Sequence, residues 1–365
     1  MGCGASKEGT GKKKNYLLET LTGHDSGINC MALSEDGSVL ATGSEDKTAR
    51  LWSTKTASCE CIGILRGHEE YLNCILIEDC FVLTGSADKT VRKWDVATCE
   101  CLVIMRGHTS VIYRMISTGD FVFTSSYDRT ARCWDFDTGE CIRVFRGHKR
   151  GVYPLIFIPG DDDDVPEGNL DTVDSSKDML ITGSADFTAR TWNFETGQCI
   201  KVFKGHTGAI TCMSTDSIGR TLFTGSTDQT IRSWNIVSGE QLKLFSGHQG
   251  SVICMVVLYT GSGDSTCRCY DANSASLKRV YMGHELTVTS LQVVDGKLFT
   301  GSYDGSVKVW DATGITDDTT FSKDEGKDKN KNKDNDVDRI DKHLEKVDRN
   351  QNGISNGNAN KIMID

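Results

Sequence analysis

A Gly-His dipeptide recurs seven times and divides most of this chain into similar units. Its histidines are His24, His68, His108, His148, His206, His248 and His284. After each comes a turn of the form T-G/S-S-x-D, with aspartates Asp46, Asp88, Asp128, Asp186, Asp228, Asp264 and Asp304. Six residues beyond each aspartate lies an aromatic position, occupied by Trp52, Trp94, Trp134, Trp192, Trp234, Tyr270 and Trp310. A repeat of about 40 residues indicates one small unit that buries its faces only by stacking on its neighbours.

Short β-rich runs separated by turn residues fill each unit, and in the second these are YLNCILI, FVLTGSA, VRKW and CLVIM. With the Gly-His and Trp-Asp signatures, residues 16–313 resemble the WD-repeat family, whose repeats form the four-stranded blades of a β-propeller. The chain starts with an outer-strand run, YLLETL, and its last repeat ends one strand short. We therefore expect an all-β, seven-bladed propeller closed by the N-terminal strand, which removes the exposed sheet edges.

Three segments are predicted on composition. Residues 1–15 form a flexible basic segment, residues 16–313 the propeller, and residues 314–365 a disordered tail rich in Asp, Lys and Asn. The formal net charge of −10 disfavours nucleic-acid binding. No apolar run is long enough to span a bilayer, and we expect a cytoplasmic protein. We also expect the propeller to be monomeric.

Eight of the 15 cysteines recur at equivalent positions of the repeats instead of forming metal-binding CxxC pairs. One set is Cys30, Cys74, Cys212 and Cys254, and a second is Cys61, Cys101, Cys141 and Cys199. Because free cysteine often behaves as a small apolar residue, we expect both sets in the core of a protein from a reducing compartment. No metal or cofactor is predicted.

The resemblance also implies a hydrogen-bonded His–Thr–Asp–Trp network in each blade. In the first three repeats its members are His24, Thr42, Asp46, Trp52, His68, Thr84, Asp88, Trp94, His108, Thr124, Asp128 and Trp134. An active site is built once, whereas this set recurs in seven repeats, so a structural role is favoured. Catalytic signatures such as a P-loop or HExxH are missing, and we expect no enzymatic activity.

Two repeats depart from the pattern. The fourth carries an acidic insertion, GDDDDVPEGNLDTVDSSKD, which we interpret as a solvated loop, with a basic partner or weak calcium binding as alternatives. In the sixth, only 16 residues separate His248 from Asp264, which leaves too little chain for a turn between its first two strands. We expect a weak blade here, and a splice variant, a gene-model junction or an ancestral deletion would each explain it. A longer form with an eighth repeat would then exist.

The N-terminal MGCGASKEGTGKKK matches a myristoylation pattern at Gly2, with Cys3 beside it as a palmitate acceptor. Lys7, Lys12, Lys13 and Lys14 supply a basic cluster for anionic lipids. One myristoyl chain binds membranes reversibly, so a second signal is needed for lasting attachment. We therefore expect peripheral membrane association; an unmodified tail is the alternative.

Propellers of the resembled family mostly bind other proteins at the top rim. The rim positions by family correspondence are Glu45, Tyr71, Asn73, Tyr113, Tyr127, Tyr153, Thr289 and Tyr303. Tyrosine is a common interface anchor because it combines a rigid apolar body with a polar tip. The sequence predicts a scaffold for protein–protein interaction tethered to a cytoplasmic membrane face. A cytosolic adaptor that recruits substrates or peptides, for example to a ubiquitin ligase, is the alternative, although no W-D-x-R motif is present.

Overall fold

The computed structural model describes residues 21–55, 60–160, 178–216, 218–256, 258–294, 296–304 and 307–313. These residues form 27 strands arranged in seven antiparallel sheets, which confirms the all-β prediction and the sheet number. In the ranges just given, no helix has the length and apolar character needed to cross a bilayer.

Sheets 1 to 4 follow the chain, each with four strands in sequential order. Sheet 1 contains β1–β4: Ile28–Leu33, Val39–Ser44, Ala49–Ser53 and Cys61–Leu65. Sheet 2 contains β5–β8: Leu72–Glu78, Phe81–Ser86, Thr90–Asp95 and Cys101–Arg106. Sheet 3 contains β9–β12: Ile112–Ser117, Phe121–Ser126, Thr130–Asp135 and Cys141–Arg146. Sheet 4 contains β13–β16: Val152–Ile158, Met179–Ser184, Thr188–Asn193 and Cys199–Lys204.

Sheets 5 to 7 continue the series. Sheet 5 contains β17–β20: Ile210–Thr215, Thr221–Ser226, Ile231–Asn235 and Gln241–Phe245. Sheet 6 contains β21–β24: Val252–Val256, Tyr259–Ser262, Thr266–Tyr270 and Leu277–Met282. Sheet 7 has three strands among the described residues, β25–β27: Val288–Val294, Lys297–Ser302 and Val307–Asp311. Residues 16–20 of the predicted closing strand lie outside the described residues, so closure stays a prediction.

The hydrophobic core lies between successive sheets. Each sheet packs through its first strand against the first strand of the next, from β1 against β5 through to β21 against β25. One cluster, for example, joins Leu51 of sheet 1 to Leu72 and Trp94 of sheet 2, all nearly inaccessible to solvent. Stacking therefore buries the faces that a single sheet leaves exposed.

The first strands converge on a common axis. One residue of each points toward it, and we call this set the axial ring: Cys30, Cys74, Arg114, Pro154, Cys212, Cys254 and Ser290. Arg114 of sheet 3 interacts electrostatically with the cysteines of sheets 1, 2, 5 and 6, so these strands surround it. The Cys30 sulfur lies 2.5 Å from where a Cβ on Gly43 would be, and Cys74 faces Gly85 at the same distance. A glycine at this position therefore makes room for the ring side chain.

Side chains beside the axis also bind neighbouring sheets to one another. Asn29 donates to the Leu72 carbonyl at 3.0 Å, and Asn73 donates to the Ile112 carbonyl at 2.9 Å. Ser125 takes over this role in sheet 3, donating to the Tyr153 carbonyl at 2.7 Å. These bonds fix the spacing of sheets 1 to 4 at the axis, because a buried polar group that loses its partner costs free energy.

Lys93 adds an unusual contact between sheets 2 and 3. Its side chain is only 4% exposed, and its ammonium donates to the Phe136 carbonyl at 3.0 Å and lies 3.2 Å from Asp137. The same ammonium lies 4.2 Å and 3.8 Å from the ring centroids of Phe81 and Phe136. Hydrogen bonds and aromatic faces together compensate for burying the charge.

The prediction that the sixth repeat is too short for a turn is wrong, because sheet 6 contains a complete hairpin between β21 and β22. Val256 pairs with Tyr259, which leaves a two-residue connection between β21 and β22. Compared with sheet 2, which has 20 residues from His68 to Asp88, two residues are missing from each strand of the hairpin. An even number keeps every side chain on its original face. Leu258, in the connection, still fills the buried position opposite the aromatic side chain of Tyr270.

The cysteine prediction is correct for only one of the two sets. Cys30, Cys74 and Cys212 are buried and Cys254 is partly buried, whereas Cys61, Cys101, Cys141 and Cys199 are exposed. The second set begins the outermost strand of sheets 1 to 4, and among the described residues no further sheet covers that strand on its outer side. Position within the blade, which residue type alone does not reveal, decides their exposure.

Candidate protein-interaction surface

The repeated histidine, aspartate and threonine side chains form the same hydrogen-bonded network in all seven sheets, and a tryptophan joins it in six. In sheet 3, His108 Nδ1 lies 2.7 Å from Asp128, His108 Nε2 lies 2.7 Å from the Thr124 hydroxyl, and Trp134 Nε1 donates to that hydroxyl at 2.9 Å. Because a carboxylate only accepts, Nδ1 carries the proton and the hydroxyl donates to Nε2. The network therefore fixes one tautomer of a neutral histidine.

Sheet 6 keeps this network without its tryptophan. His248 lies 2.9 Å from Asp264 and 2.8 Å from the Thr260 hydroxyl. Tyr270 occupies the tryptophan position and directs its hydroxyl to the Ser246 carbonyl at 3.5 Å instead of to Thr260. The His–Thr–Asp part is thus independent of the aromatic side chain beside it.

Burial and hydrogen bonding set the charges of the network in opposite directions. Burial lowers the pKa of His108, outweighing the attraction of Asp128 for the charged form. Burial alone would raise the pKa of Asp128, but the hydrogen bonds from His108 and Thr130 bring that pKa below its usual range. The result is a neutral histidine on a charged carboxylate, which is a stable structural unit at neutral pH.

We call the edge where each first strand begins and each second strand ends the upper rim. Two segments meet there in every sheet, because the residue before the turn aspartate donates its backbone N–H to the carbonyl three residues after the histidine. Examples are Tyr127 to Val111 at 3.0 Å and Ala185 to Gly151 at 2.9 Å. The segments that follow Gly-His and the T-G/S-S-x-D turns therefore form one continuous surface across the sheets.

Four of the predicted tyrosines lie on this rim in sheets 2 to 4, and we call them the tyrosine cluster: Tyr71, Tyr113, Tyr127 and Tyr153. The ring of Tyr113 lies edge-on to Tyr153 at 4.8 Å and to Tyr127 at 6.3 Å between centroids. Tyr127 is 53% exposed and Tyr71 37% exposed. Gly151 permits this packing, since a Cβ there would lie 3.0 Å from the Tyr127 ring. Sheets 2 to 4 thus present adjoining aromatic rings to solvent.

The cluster is polar at its centre. The Tyr113 and Tyr153 hydroxyls lie close enough for each to affect the pKa of the other. Burial raises the pKa of both phenols, and neighbouring tyrosines, including Tyr71 and Tyr127, add to the effect on Tyr113. Both side chains are therefore neutral donors and acceptors at neutral pH.

The other predicted rim residues are distributed differently. Glu45 is exposed and accepts a hydrogen bond from Ser26, whereas Asn73 is used in the contact with sheet 3. Thr289 donates to the Gly301 carbonyl at 3.3 Å within sheet 7. Tyr303 is 39% exposed on sheet 7. Partner binding at all of these positions stays a prediction.

The rim also carries charged residues that the sequence reasoning missed. Sheets 3 and 4 expose three basic side chains, which we call the basic rim: Arg129, Lys149 and Arg150. Arg114 of the axial ring follows Tyr113 directly on β9. Aligning the repeats would have found Arg114, because it stands where most repeats have a cysteine.

The lipidation residues Gly2 and Cys3 and the basic cluster Lys7, Lys12, Lys13 and Lys14 lie outside the described residues. Residues 161–177 of the acidic insertion and the tail after residue 313 do as well. Within the described ranges, no group of three or more His, Cys, Asp or Glu side chains is arranged to hold a metal ion.

A family model of known proteins matches most of the repeats in this chain. The model of the WD domain, G-beta repeat (WD40), matches residues 15–53, 59–95, 99–135, 197–235, 239–271 and 275–311. These segments omit residues 136–196, yet the structure gives sheet 4 four strands and a network in which His148 lies 2.9 Å from Asp186. The acidic insertion therefore interrupts the sequence pattern without interrupting the blade.

Individual relatives match shorter parts of the chain. It is 51% identical over 205 residues to human WD repeat-containing protein 86, covering 56% of this chain and 53% of that protein. It is 37% identical over 87 residues to mitochondrial division protein 1 of Schizosaccharomyces pombe, covering 23% of this chain and 13% of that protein. It is 27% identical over 212 residues to the Candida glabrata protein of the same name, covering 56% of this chain and 25% of that protein. The chain thus spans about half the length, or less, of these relatives.

WD repeat proteins generally act as scaffolds for protein–protein interaction and are typically non-catalytic. The seven antiparallel sheets, the recurring His–Thr–Asp network and the six matched segments together establish that the chain belongs to the WD40 repeat family.

Proposed function

We propose that this protein is a non-catalytic scaffold that binds a partner protein through the tyrosine cluster and is held at a cytoplasmic membrane face by N-terminal acylation. The observation that carries the proposal is the packing of Tyr113 against Tyr127 and Tyr153 on one rim, with Tyr71 acting electrostatically on Tyr113 from the neighbouring sheet. Exposed aromatic rings that pack on one another are already ordered, so a partner gains apolar contact at a low cost in side-chain entropy.

The polarity of the cluster suits reversible association. Tyr127 offers a largely exposed ring, while the hydroxyls of Tyr113 and Tyr153 can exchange hydrogen bonds with a partner. Interface energy typically concentrates in a few aromatic and arginine side chains surrounded by near-neutral contacts. We expect Tyr113 and Tyr127 to be such positions, with Glu45 and Tyr303 contributing less.

Tethering rests on the sequence of the N-terminus. Myristoylation of Gly2, palmitoylation of Cys3 and attraction of the lysine cluster to anionic lipids would supply more than the two signals that stable anchoring needs. The net charge of the whole chain is −10, so the four lysines are a local feature.

Site-specific photo-crosslinking tests the scaffold proposal. p-Benzoylphenylalanine replaces Tyr127 in one variant of the full chain and Thr227, the equivalent position of sheet 5, in the other. Irradiation in cells is expected to give a discrete heterologous adduct at position 127 and none at position 227. Equal crosslinking at both positions would contradict a binding site in the tyrosine cluster.

Membrane fractionation with intact-mass analysis tests the tether. The wild-type chain is compared with Gly2→Ala and Cys3→Ser variants, and Gly4→Ala serves as the matched control in the same segment. We expect fatty-acid masses on the wild type and the control, and release of Gly2→Ala to the cytosol. An unmodified N-terminus with equal solubility of all four chains would leave a cytosolic adaptor, the second candidate, which the tyrosine cluster supports equally.

A further inference from the structure

The charged residues of the upper rim are divided between sheets. Each sheet contributes the two residues after its Gly-His histidine and the residues around its turn aspartate. In sheets 1 and 2 the exposed charges at these positions are Asp25, Glu45, Lys47, Glu69, Glu70 and Lys89. Glu70 and Lys47 approach to 4.0 Å, so this side is acidic and partly compensated within itself.

Sheets 3 and 4 have the opposite sign. Their described rim positions carry the basic rim, Arg129, Lys149 and Arg150, and the only carboxylates there are Asp128 and Asp186, which the histidines already occupy. In sheets 5 and 6 the corresponding positions outside the network are small or uncharged, such as Thr207, Gly250 and Ser265. The positive charge therefore lies on the side of the rim that bears most of the tyrosine cluster.

One guanidinium group lies at the axis and another lies on the rim beside Tyr153. Arg114 follows Tyr113 on β9 and is directed to the axis, where the cysteines of the axial ring act on it electrostatically. Burial raises the pKa of the Cys74 and Cys212 thiols to about 12, so these groups are neutral at physiological pH. On the other side, Arg150 is exposed and acts electrostatically on Tyr153. Positive charge is thus present both at the axis and on the rim beside Tyr153.

We propose that the tyrosine cluster, the basic rim and Arg114 bind an acidic peptide segment of the partner protein. This rests on the proposed scaffold function and specifies the chemistry of its ligand. An anionic side chain lies beside Arg114 at the axis, a second anionic group contacts Arg150, and the intervening residue packs on the rings of Tyr113 and Tyr153. The anion is a carboxylate or a phosphate, because a guanidinium binds both through paired hydrogen bonds.

Selection from a random dodecapeptide library displayed on phage tests the proposal with the full chain as bait. Parallel selections use Tyr113→Ala, Arg114→Gln and Arg150→Gln, with Arg220→Gln, an exposed arginine of the β17–β18 connection, as the matched control. Peptides retained by the wild type and the control are expected to be enriched in Asp and Glu beside an apolar residue. Both arginine variants are expected to lose that enrichment.

One retained peptide is then synthesised with its central acidic residue as Glu, as Gln and as phosphoserine, and its Kd is measured by fluorescence anisotropy. Changing Glu to Gln is expected to weaken binding to the wild type by about 10-fold to 100-fold, the range for a charge-assisted hydrogen bond. The same change should have little effect on the Arg114→Gln variant. Tighter binding of the phosphoserine form would assign a phosphorylated segment, and tighter binding of the Glu form a carboxylate.

The outcomes separate the two proposals. Neutral peptides that depend on Tyr113 but not on either arginine would overturn the acidic ligand and leave the scaffold function standing. A selection in which no peptide depends on Tyr113 would overturn both. Circular dichroism and the unfolding midpoint establish that each variant is folded, and Arg114→Lys, which keeps the charge, is expected to retain the acidic preference. Should Arg114→Gln fail to fold, the exposed Arg150 carries the same test.

Discussion

Sheets 3 and 6 contain the same His–Thr–Asp network in very different surroundings. Sheet 3 has six-residue strands, Trp134 in the core and tyrosines on its rim, whereas sheet 6 has a shortened hairpin, Tyr270 in the core and a glycine at the rim position of Tyr127. Both keep His–Asp and His–Thr distances within 2.7–2.9 Å. The network therefore specifies the blade, and residues outside it are free to specify function.

Removing the aspartate of the network should have the largest effect, and a similar one in both sheets. In Asp128→Ala, the imidazole of His108, the backbone N–H groups of Thr109 and Thr130 and the Thr130 hydroxyl all lose their acceptor. We expect the free energy of unfolding to fall by about 3–5 kcal/mol. Asp264→Ala is the matched variant, and urea unfolding followed by tryptophan fluorescence measures both. A loss confined to sheet 3 would show that the two networks are not equivalent.

Exchanging the aromatic residues should give a smaller and asymmetric result. Trp134→Tyr removes a buried ring edge and the hydrogen bond to Thr124, and we expect it to cost about 1–3 kcal/mol. Tyr270→Trp supplies sheet 6 with the missing donor to Thr260 and should raise the thermal unfolding midpoint slightly. If Tyr270→Trp destabilises the protein instead, the shortened hairpin has remodelled the pocket around the ring.

Acidification should weaken sheets 3 and 6 alike. The pKa values of His108 and His248 are lowered by burial, so the unfolded chain takes up protons that the folded chain excludes. The stability they contribute is present above about pH 6.5 and is lost as the pH falls toward the folded-state pKa values. Each histidine adds a slope of up to about 1.4 kcal/mol per pH unit. Urea midpoints measured between pH 7.5 and 5 test this, and a midpoint that rises on acidification would contradict the assignment of neutral histidines.

Gly151→Ala should have the smallest effect on stability and a specific effect on the rim. The added Cβ would approach the Tyr127 ring to 3.0 Å and displace it, without altering any hydroxyl or charge. We expect a change of less than about 1 kcal/mol in unfolding, because the ring is largely exposed, and a weakened crosslink from position 127. Gly27→Ala is the equivalent change in sheet 1. Its added Cβ would lie 3.6 Å from the Glu45 side chain, and we expect the crosslink from position 127 to be unchanged.

The sequence predicts the blades well because each one is specified locally. Gly-His, the turn aspartate and the tryptophan lie within one repeat, and the strands they delimit agree with the structure to within a few residues. The error in sheet 6 came from counting chain length without considering that a loss of two residues per strand preserves the faces. The exposure of Cys61 and Cys141 was missed because it depends on which strand is outermost.

The candidate site was less accessible to sequence reasoning. Family correspondence placed the tyrosines on one rim, but the contact between Tyr113 and Tyr153 joins residues 40 positions apart on two sheets and depends on how those sheets stack. Arg114 stands in a position where other repeats have small residues, and its place among the cysteines of four other sheets follows only from the convergence of the first strands on one axis. Long-range packing of this kind has no signature within a single repeat.

The most direct test of the central claim is the affinity of the partner crosslinked at position 127 for two matched variants, Tyr127→Ala on sheet 3 and Thr227→Ala on sheet 5, measured beside their unfolding midpoints. The account predicts at least a tenfold loss of affinity for Tyr127→Ala, none for Thr227→Ala, and midpoints close to that of the wild type. Equal affinity of both variants, or a loss for Tyr127→Ala that merely follows a loss of folding, would contradict it.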